Sequence, residues 1–348
     1  MGTHNQPNSG CSPAGRALRG GAGPAPLVWP DRHDPASQHH RHGPTSRTAR
    51  HPLVRPRGVF AGRGGQLPAS VAEVSANPYE DPESARLYDA ENSGREDVEH
   101  YLRLARELRD ERGDRTGGGD RVERGGERRE PFTVLDIGCG TGNLGVELAA
   151  EGHRVIGVDP AEAMLDIART RPGGERVTWI RGSADAAPEG AADLAVMTGH
   201  AAQQIVPVDT WRALLASAHR ALRPGGALAF ESRDPRQRAW ERWTPESTRG
   251  TFPHPDGGEF TSWVELLAVD ESGADGSGDG GIVETHRGVT EREGTTRCSA
   301  EETLIFRPLE VLRRDLEAAG FTVERVQGAW SGGPVTEDSA ELILLGRR

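Results

Sequence analysis

The residues with the plainest chemical purpose lie in the run Val134-Leu-Asp-Ile-Gly-Cys-Gly-Thr-Gly-Asn-Leu-Gly145. An apolar stretch ends at Asp136, and Gly138, Gly140 and Gly142 turn the chain into a helix expected from near Asn143. Glycines at this spacing let a ligand approach the backbone and allow positive φ. Two ligands compete for such a loop. Gly140-x-Gly142-x-x-Gly145, with Asp159 about 20 residues on, satisfies the fingerprint that seats a dinucleotide. Asp136 argues the other way, because a carboxylate beside the loop repels a pyrophosphate and attracts an ammonium. A ligand of adenosine plus an amino acid, without phosphate, matches that charge better.

Other chemistries are excluded by residue type. All 42 basic residues are arginine. Schiff-base chemistry, a pyridoxal-phosphate lysine and a phosphate-loop lysine each need an ε-amine and are ruled out. Cys11, Cys139 and Cys298 fit neither a disulfide framework nor a zinc site, so a reducing compartment is expected. Cys139 reads as a small buried filler rather than a nucleophile. In the part expected to be ordered, no His, Asp or Glu set with ligand spacing suggests a metal; His39, His40 and His42 of the N-terminal tract read as a chance chelator rather than a site.

The elements that must position the loop alternate along the chain. Strands are expected over 132–136, 154–159, 177–181, 193–198 and 227–231, with helices between most of them; the clearest helix spans 208–222. That alternation means a parallel sheet covered on both faces. Residues 131–235 form this core. Antiparallel strands over 260–269, 282–290 and 297–306 make a β insert within 236–307, and a helix and hairpin over 308–348 complete the core. Before the core, 76–112 carries an amphipathic helix over 95–112, and 113–130 is a Gly/Arg/Glu-rich flexible loop.

Residues 1–75 are rich in Gly, Pro, Arg and His and read as a disordered tail, with a translation start near Val59 or Val71 as a further expectation. The tail holds nine arginines against three acids. The whole chain has a formal charge of −11, so the remainder is strongly acidic. An acidic body argues against nucleic acid as a partner. No apolar run is long enough for a membrane span. A soluble, cytoplasmic protein is expected.

On four stretches the sequence resembles the class I S-adenosylmethionine-dependent methyltransferases of small-molecule type. They are Leu135-Asp-Ile-Gly-Cys-Gly-Thr-Gly142, Val155-Ile-Gly-Val-Asp-Pro160, Trp179-Ile-Arg-Gly-Ser-Ala184 and His219-Arg-Ala-Leu-Arg-Pro-Gly-Gly226. The resemblance runs from about Tyr79 to the C-terminus and includes the final hairpin. It implies an α/β fold: a doubly wound, Rossmann-like sheet with a terminal antiparallel hairpin and a small inserted antiparallel β segment. It also implies S-adenosyl-L-methionine as cofactor. Gly138, Cys139, Gly140 and Gly142 would hold the methionyl part, with Asp136 orienting it. Asp159 would take the ribose hydroxyls, and Pro160 and Met164 would line the adenine slot. Where relatives carry Gly-Asp-Ala, this chain has Gly182-Ser183-Ala184, leaving Ser183 or Asp185 to meet adenine. Thr198, Gly199 and His200 would lie near the sulfonium.

The expected reaction is in-line transfer to N or O of a small-molecule acceptor, with His200 as base or substrate-orienting group. Tyr88 and Tyr101 would close over the methionyl end, and Arg233, Trp240 and Trp243 would line the acceptor pocket. Each has a packing alternative, Tyr101 above all because it sits on the apolar stripe. The β insert serves as substrate cover or as a homodimer contact. An NAD(P)-dependent oxidoreductase and a non-catalytic binding module are the competing functions.

Overall fold

The predicted parallel strands are built around apolar residues, β-branched in the first two and Ala- and Leu-rich in the last two, and together they pair as a single sheet. In the computed structural model they are β1 (Thr133–Ile137), β2 (Arg154–Asp159), β3 (Thr178–Arg181), β4 (Ala192–Met197) and β5 (Leu222–Arg233). A closing hairpin of β10 (Thr322–Gln327) and β11 (Glu341–Arg347) extends the sheet, giving the order β10-β11-β5-β4-β1-β2-β3. Only β11 runs against its neighbours β5 and β10. The structure describes residues 78–92, 94–115, 131–277 and 280–348. The tail expected over 1–75 and residues 116–130 of the expected loop lie outside the described residues.

Helices cover both faces, as near-continuous apolar strands require. On one face α2 (Glu96–Arg115) and α3 (Asn143–Ala150) pack Tyr101, Leu108 and Leu148 against Val134, Val196 and Ala229. On the other, α5 (Val208–Ala221) and α7 (Leu309–Ala318) pack Trp211, Leu215 and Leu316 against Leu135, Ala195 and Phe230. The α4 helix (Glu162–Thr170) lies beside β2 and β3 and carries α1 (Pro82–Glu91) on its outer side.

A second, antiparallel sheet has the order β6-β7-β8-β9, from β6 (Gly250–Pro253), β7 (Glu259–Asp270), β8 (Ile282–Arg292) and β9 (Thr295–Phe306). A short helix, α6 (Pro245–Thr248), precedes it.

The structure corrects several readings. Helix α2 continues to Arg115, so residues 113–115 are helical rather than loop. Its last turns are anchored by Arg112 on Asp193 at 2.5 Å and by Glu111 on Arg347, which outweighs the roughly 1 kcal/mol that Gly113 costs. Helix α1 escapes the apolar pattern because it buries only Ala85 and Leu87. Its start was nonetheless written locally: Asp81 caps Ser84 N at 2.8 Å and Pro82 takes the first turn. Strand β6 is four residues ending in proline, and it holds because Phe252 packs on Phe260 and Leu87. After β5 the chain makes two 3-10 turns, Pro235–Gln237 and Ala239–Arg242. Left-handed Arg238, at φ +47°, separates them.

Candidate functional site

Strands β1, β2 and β4 end together, and the glycine run crosses their carboxyl ends. Gly142 adopts φ +79° and begins α3 without a side-chain cap. A Cβ there would lie 2.6 Å from the Trp179 ring, and one at Gly157 in the neighbouring strand 2.5 Å from it. Gly145 faces the same indole at 3.0 Å. The third glycine of the apparent dinucleotide fingerprint therefore makes room for Trp179. The loop is held from outside by Thr141, whose hydroxyl donates to Asp89 at 2.7 Å. Arg171 donates to the Thr141 carbonyl at 2.9 Å and pairs with Asp89.

Two carboxylates flank the glycines. Asp159 Oδ2 accepts from Gly140 N and Oδ1 from Ala161 N, both at 2.8 Å. Each oxygen keeps an acceptor site for a further donor. Burial raises its pKa against those two bonds. Asp136 is 1% exposed, and its Oδ1 has no hydrogen-bond partner among the described residues. Burial, reinforced by the charges of Asp159 and Glu231, pushes Asp136 up to about 7. An orphaned buried carboxylate beside a glycine cradle suits a ligand that brings an ammonium group, since leaving such an acceptor unmet is costly.

Beyond β4, Gly199 and His200 take left-handed conformations at φ +62° and +60°. The His200 N–H donates to Glu231 Oε1 at 2.7 Å, and Glu231 Oε2 accepts from the Tyr101 hydroxyl. Burial, opposed by His200 and Tyr101, raises Glu231 to about 7. The His200 ring meets Glu341 through Nε2, at 3.0 and 3.1 Å from the two carboxylate oxygens. Asp97 of α2 lies near enough to feel the His200 charge, and burial raises its pKa.

Toward the second sheet, the Tyr88 hydroxyl lies 3.6 Å from where a Gly199 Cβ would stand. Its ring meets Tyr79 edge-on at 6.1 Å. Burial, then the charges of Glu302 and Asp97, push the Tyr88 hydroxyl pKa up. Gln204 donates to Tyr79 Oη at 3.1 Å and to Glu302 Oε1 at 3.0 Å. Glu302 Oε2 meets His286 Nε2 at 3.1 Å, and His286 Nδ1 meets Glu284 at 3.0 Å. Burial pulls His286 down, but the two carboxylates outweigh it and lift it to about 9.

The remaining expected residues divide. Pro160, Ser183 and Asp185 are exposed on the loops that follow β2 and β3, and Ala184 is buried beneath them. Met164 packs on Ala85 and Ala161, with both tyrosines beside it. Cys139 is buried, its sulfur 3.0 Å from a Gly157 Cβ position, and burial raises its pKa. Thr198 is half-buried at the end of β4. Tyr101 is buried in the α2 stripe and still reaches Glu231. Arg233 lies over the Trp243 ring and donates to Gln203 at 3.1 Å. Trp240 and Trp243 pack with Ile282, Leu304 and Phe306 as the core beneath the second sheet.

Sequence reasoning missed Glu231, Glu341, Asp97, Gln204, Glu302 and Trp179. Glu231 carried a signal, since it closes an apolar strand as Asp136 does. Asp97, Glu302 and Glu341 sit far away in sequence, while Gln204 and Trp179 lie within or beside the stretches already singled out and carry no separate signal. Among the described residues no group of three or more His, Cys, Asp or Glu could hold a metal. No described helix is long and apolar enough to cross a membrane.

A family profile described as "Methyltransferase domain" matches residues 134–226, the glycine loop through the start of β5. The cypemycin N-terminal methyltransferase of a Streptomyces species is 27% identical over 61% of this chain and 82% of its own length. The ubiquinone biosynthesis O-methyltransferase of Idiomarina loihiensis is 32% identical over 40% of this chain and 60% of its own. Among solved structures, the CcbJ methyltransferase from Streptomyces caelestis superposes with a TM-score of 0.57. It has 18% identity and covers 78% of this chain and 98% of that one, a likeness of fold.

Proposed function

We propose that this chain, which belongs to the class I S-adenosylmethionine-dependent methyltransferases, transfers the methyl group to the nitrogen of a small-molecule amine. The observation that carries the choice of nitrogen is charge. Asp97, Glu231, Glu302 and Glu341 converge on the loop after β4 from four different elements. Such a crevice gathers a cationic acceptor and disfavours an anionic one. The relative whose name specifies an N-terminal methyltransferase supports the same class of acceptor.

In this reading Asp136 Oδ1 takes the cofactor's ammonium, with Gly138, Cys139, Gly140 and Gly142 giving backbone contact. Asp159 takes the ribose hydroxyls. Pro160, Met164, Ser183, Ala184 and Asp185 border the adenine, and Thr198 and Gly199 border the sulfur. When bound, the sulfonium supplies an activated methyl group for in-line transfer. The chain's own work is alignment, exclusion of water and handling of one proton. Tyr88 and Tyr79 close the crevice from α1 and the turn before it. His200 receives the proton an ammonium acceptor must lose before its lone pair can react. The antiparallel sheet covers the acceptor side through Glu302, and Arg233, Trp240 and Trp243 support that sheet.

The test is a panel of small amines and their hydroxyl counterparts, read by formation of S-adenosylhomocysteine. The reading expects turnover with amines and none with matched alcohols. Turnover of alcohols with the amines inert would overturn it.

A further inference from the structure

Glu341 lies 141 residues from His200 and reaches it only because β11 runs antiparallel to β5, with Glu341 opposite Arg233. Residues 231, 233 and 341 then share one face of the sheet. His200 is gripped twice on that face: Glu231 accepts its backbone N–H at 2.7 Å, and Glu341 receives its ring.

Nε2 lies 3.0 and 3.1 Å from the two oxygens of Glu341, a carboxylate only 7% exposed. An ionised carboxylate accepts and does not donate, so Nε2 carries the proton. Nδ1 has no partner among the described residues, and the side chain keeps 18% exposure. In its neutral form the ring therefore has one occupied nitrogen and one open nitrogen with a lone pair. A left-handed backbone at a non-glycine residue is also the kind of strain that persists where surrounding contacts enforce it.

We propose that Glu341, carried in by the terminal hairpin, is a positioning residue that holds His200 with Nδ1 presented to the acceptor. This rests on the reading of His200 as proton acceptor. The acceptor's ammonium gives its proton to Nδ1, the nitrogen keeps the electron pair, and Glu341 faces the positive charge that forms on the ring. The proton then leaves to solvent from the exposed edge of the imidazole. The hairpin thus completes the site as well as the sheet.

Two readouts test this on the full chain. In protein saturated with S-adenosylhomocysteine, His200 should give a slowly exchanging, downfield Nε2–H resonance, assigned by its loss in His200→Ala. Glu341→Ala should abolish it, while Glu341→Gln, which can still accept, should keep it at a less downfield position. With an amine that turns over, His200→Ala should lower kcat about 100-fold, and Glu341→Ala roughly tenfold or more. S-adenosylhomocysteine affinity should stay within about twofold in Glu341→Ala, whose carboxylate is taken up by the His200 ring. The double variant should be no slower than His200→Ala alone, because one residue acts through the other. A resonance that survives in Glu341→Ala, or rate losses that multiply, would overturn the proposal. If no amine reacts, the reading of the acceptor falls, and the resonance alone decides the positioning role.

Discussion

The two ends of the parallel sheet each hold an aspartate, and they treat it in opposite ways. At the amino end, Asp193 accepts from Thr133 N at 2.8 Å, from Arg112 at 2.5 Å and from Arg223 at 3.2 Å. At the carboxyl end, Asp136 is buried with one oxygen unmet and two further carboxylates, Asp159 and Glu231, close enough to raise its pKa. The first arrangement stabilises a fold. The second destabilises one unless a cation arrives.

The sign follows from linkage. Asp136 is raised from its ordinary range to about 7 in the folded chain, and Glu231 likewise. Between those two ranges the native state holds protons that the unfolded state has released. Stability from this pair therefore falls as pH rises from about 4 to about 7. A bound ammonium favours the ionised carboxylate and reverses that loss, expelling the proton. The second sheet offers another contrast. Its buried His286 sits between Glu284 and Glu302, each contact within hydrogen-bond distance, so both carboxylates have a partner while the cluster keeps a net negative charge.

The sharpest way to break the contrast is at Asp159, whose two oxygens are both partnered yet keep acceptor capacity. In the proposed reading Asp159→Ala removes two charge-assisted bonds to the ribose, and S-adenosylhomocysteine binding should then weaken by roughly 2–4 kcal/mol in calorimetry on folded protein. Unchanged affinity would strip the carboxyl end of its assigned ligand. A smaller effect of opposite kind is expected at the other end. Asp193→Ala should lower unfolding free energy by about 1–3 kcal/mol, because Thr133 N and two guanidinium groups lose their acceptor. Its affinity for S-adenosylhomocysteine should stay at the wild-type value. A binding defect there without loss of stability would mean the two ends are not separate in function.

What the sequence revealed follows the same division between local and distant contacts. Four of the five parallel strands were legible to within one residue at each end because each is an apolar run closed by turn residues, whereas β5, expected over 227–231, already begins at Leu222, which the sequence pattern assigns to the end of the preceding helix. The glycines, Asp136 and Asp159 were legible because strand, loop and helix are consecutive and the spacing itself encodes the geometry. Glu341 and Glu302 were not, since their approach depends on the register of β11 on β5 and of β9 on β8. Trp179 was quoted only for its neighbours in the chain. Its role emerged from the absence of side chains at Gly142, Gly145 and Gly157 around it. Trp240 and Trp243 show the converse, for an aromatic pair read as pocket wall also reads as core, and both pack with Phe306.

The central claim is that Asp136 is left unmet in order to hold the cofactor's ammonium. Calorimetric titration with S-adenosylhomocysteine at pH 6.5, in two buffers of different ionisation enthalpy, measures the protons released per ligand bound. The account predicts release of a substantial fraction of a proton by the wild type. Affinity should climb as pH rises through about 7 and then level off. Asp136→Asn should release markedly fewer protons and bind about 10- to 100-fold more weakly, while the ligand-free variant gains stability at pH 8. Equal proton release by both proteins, or undiminished affinity in a folded Asp136→Asn variant, would contradict it.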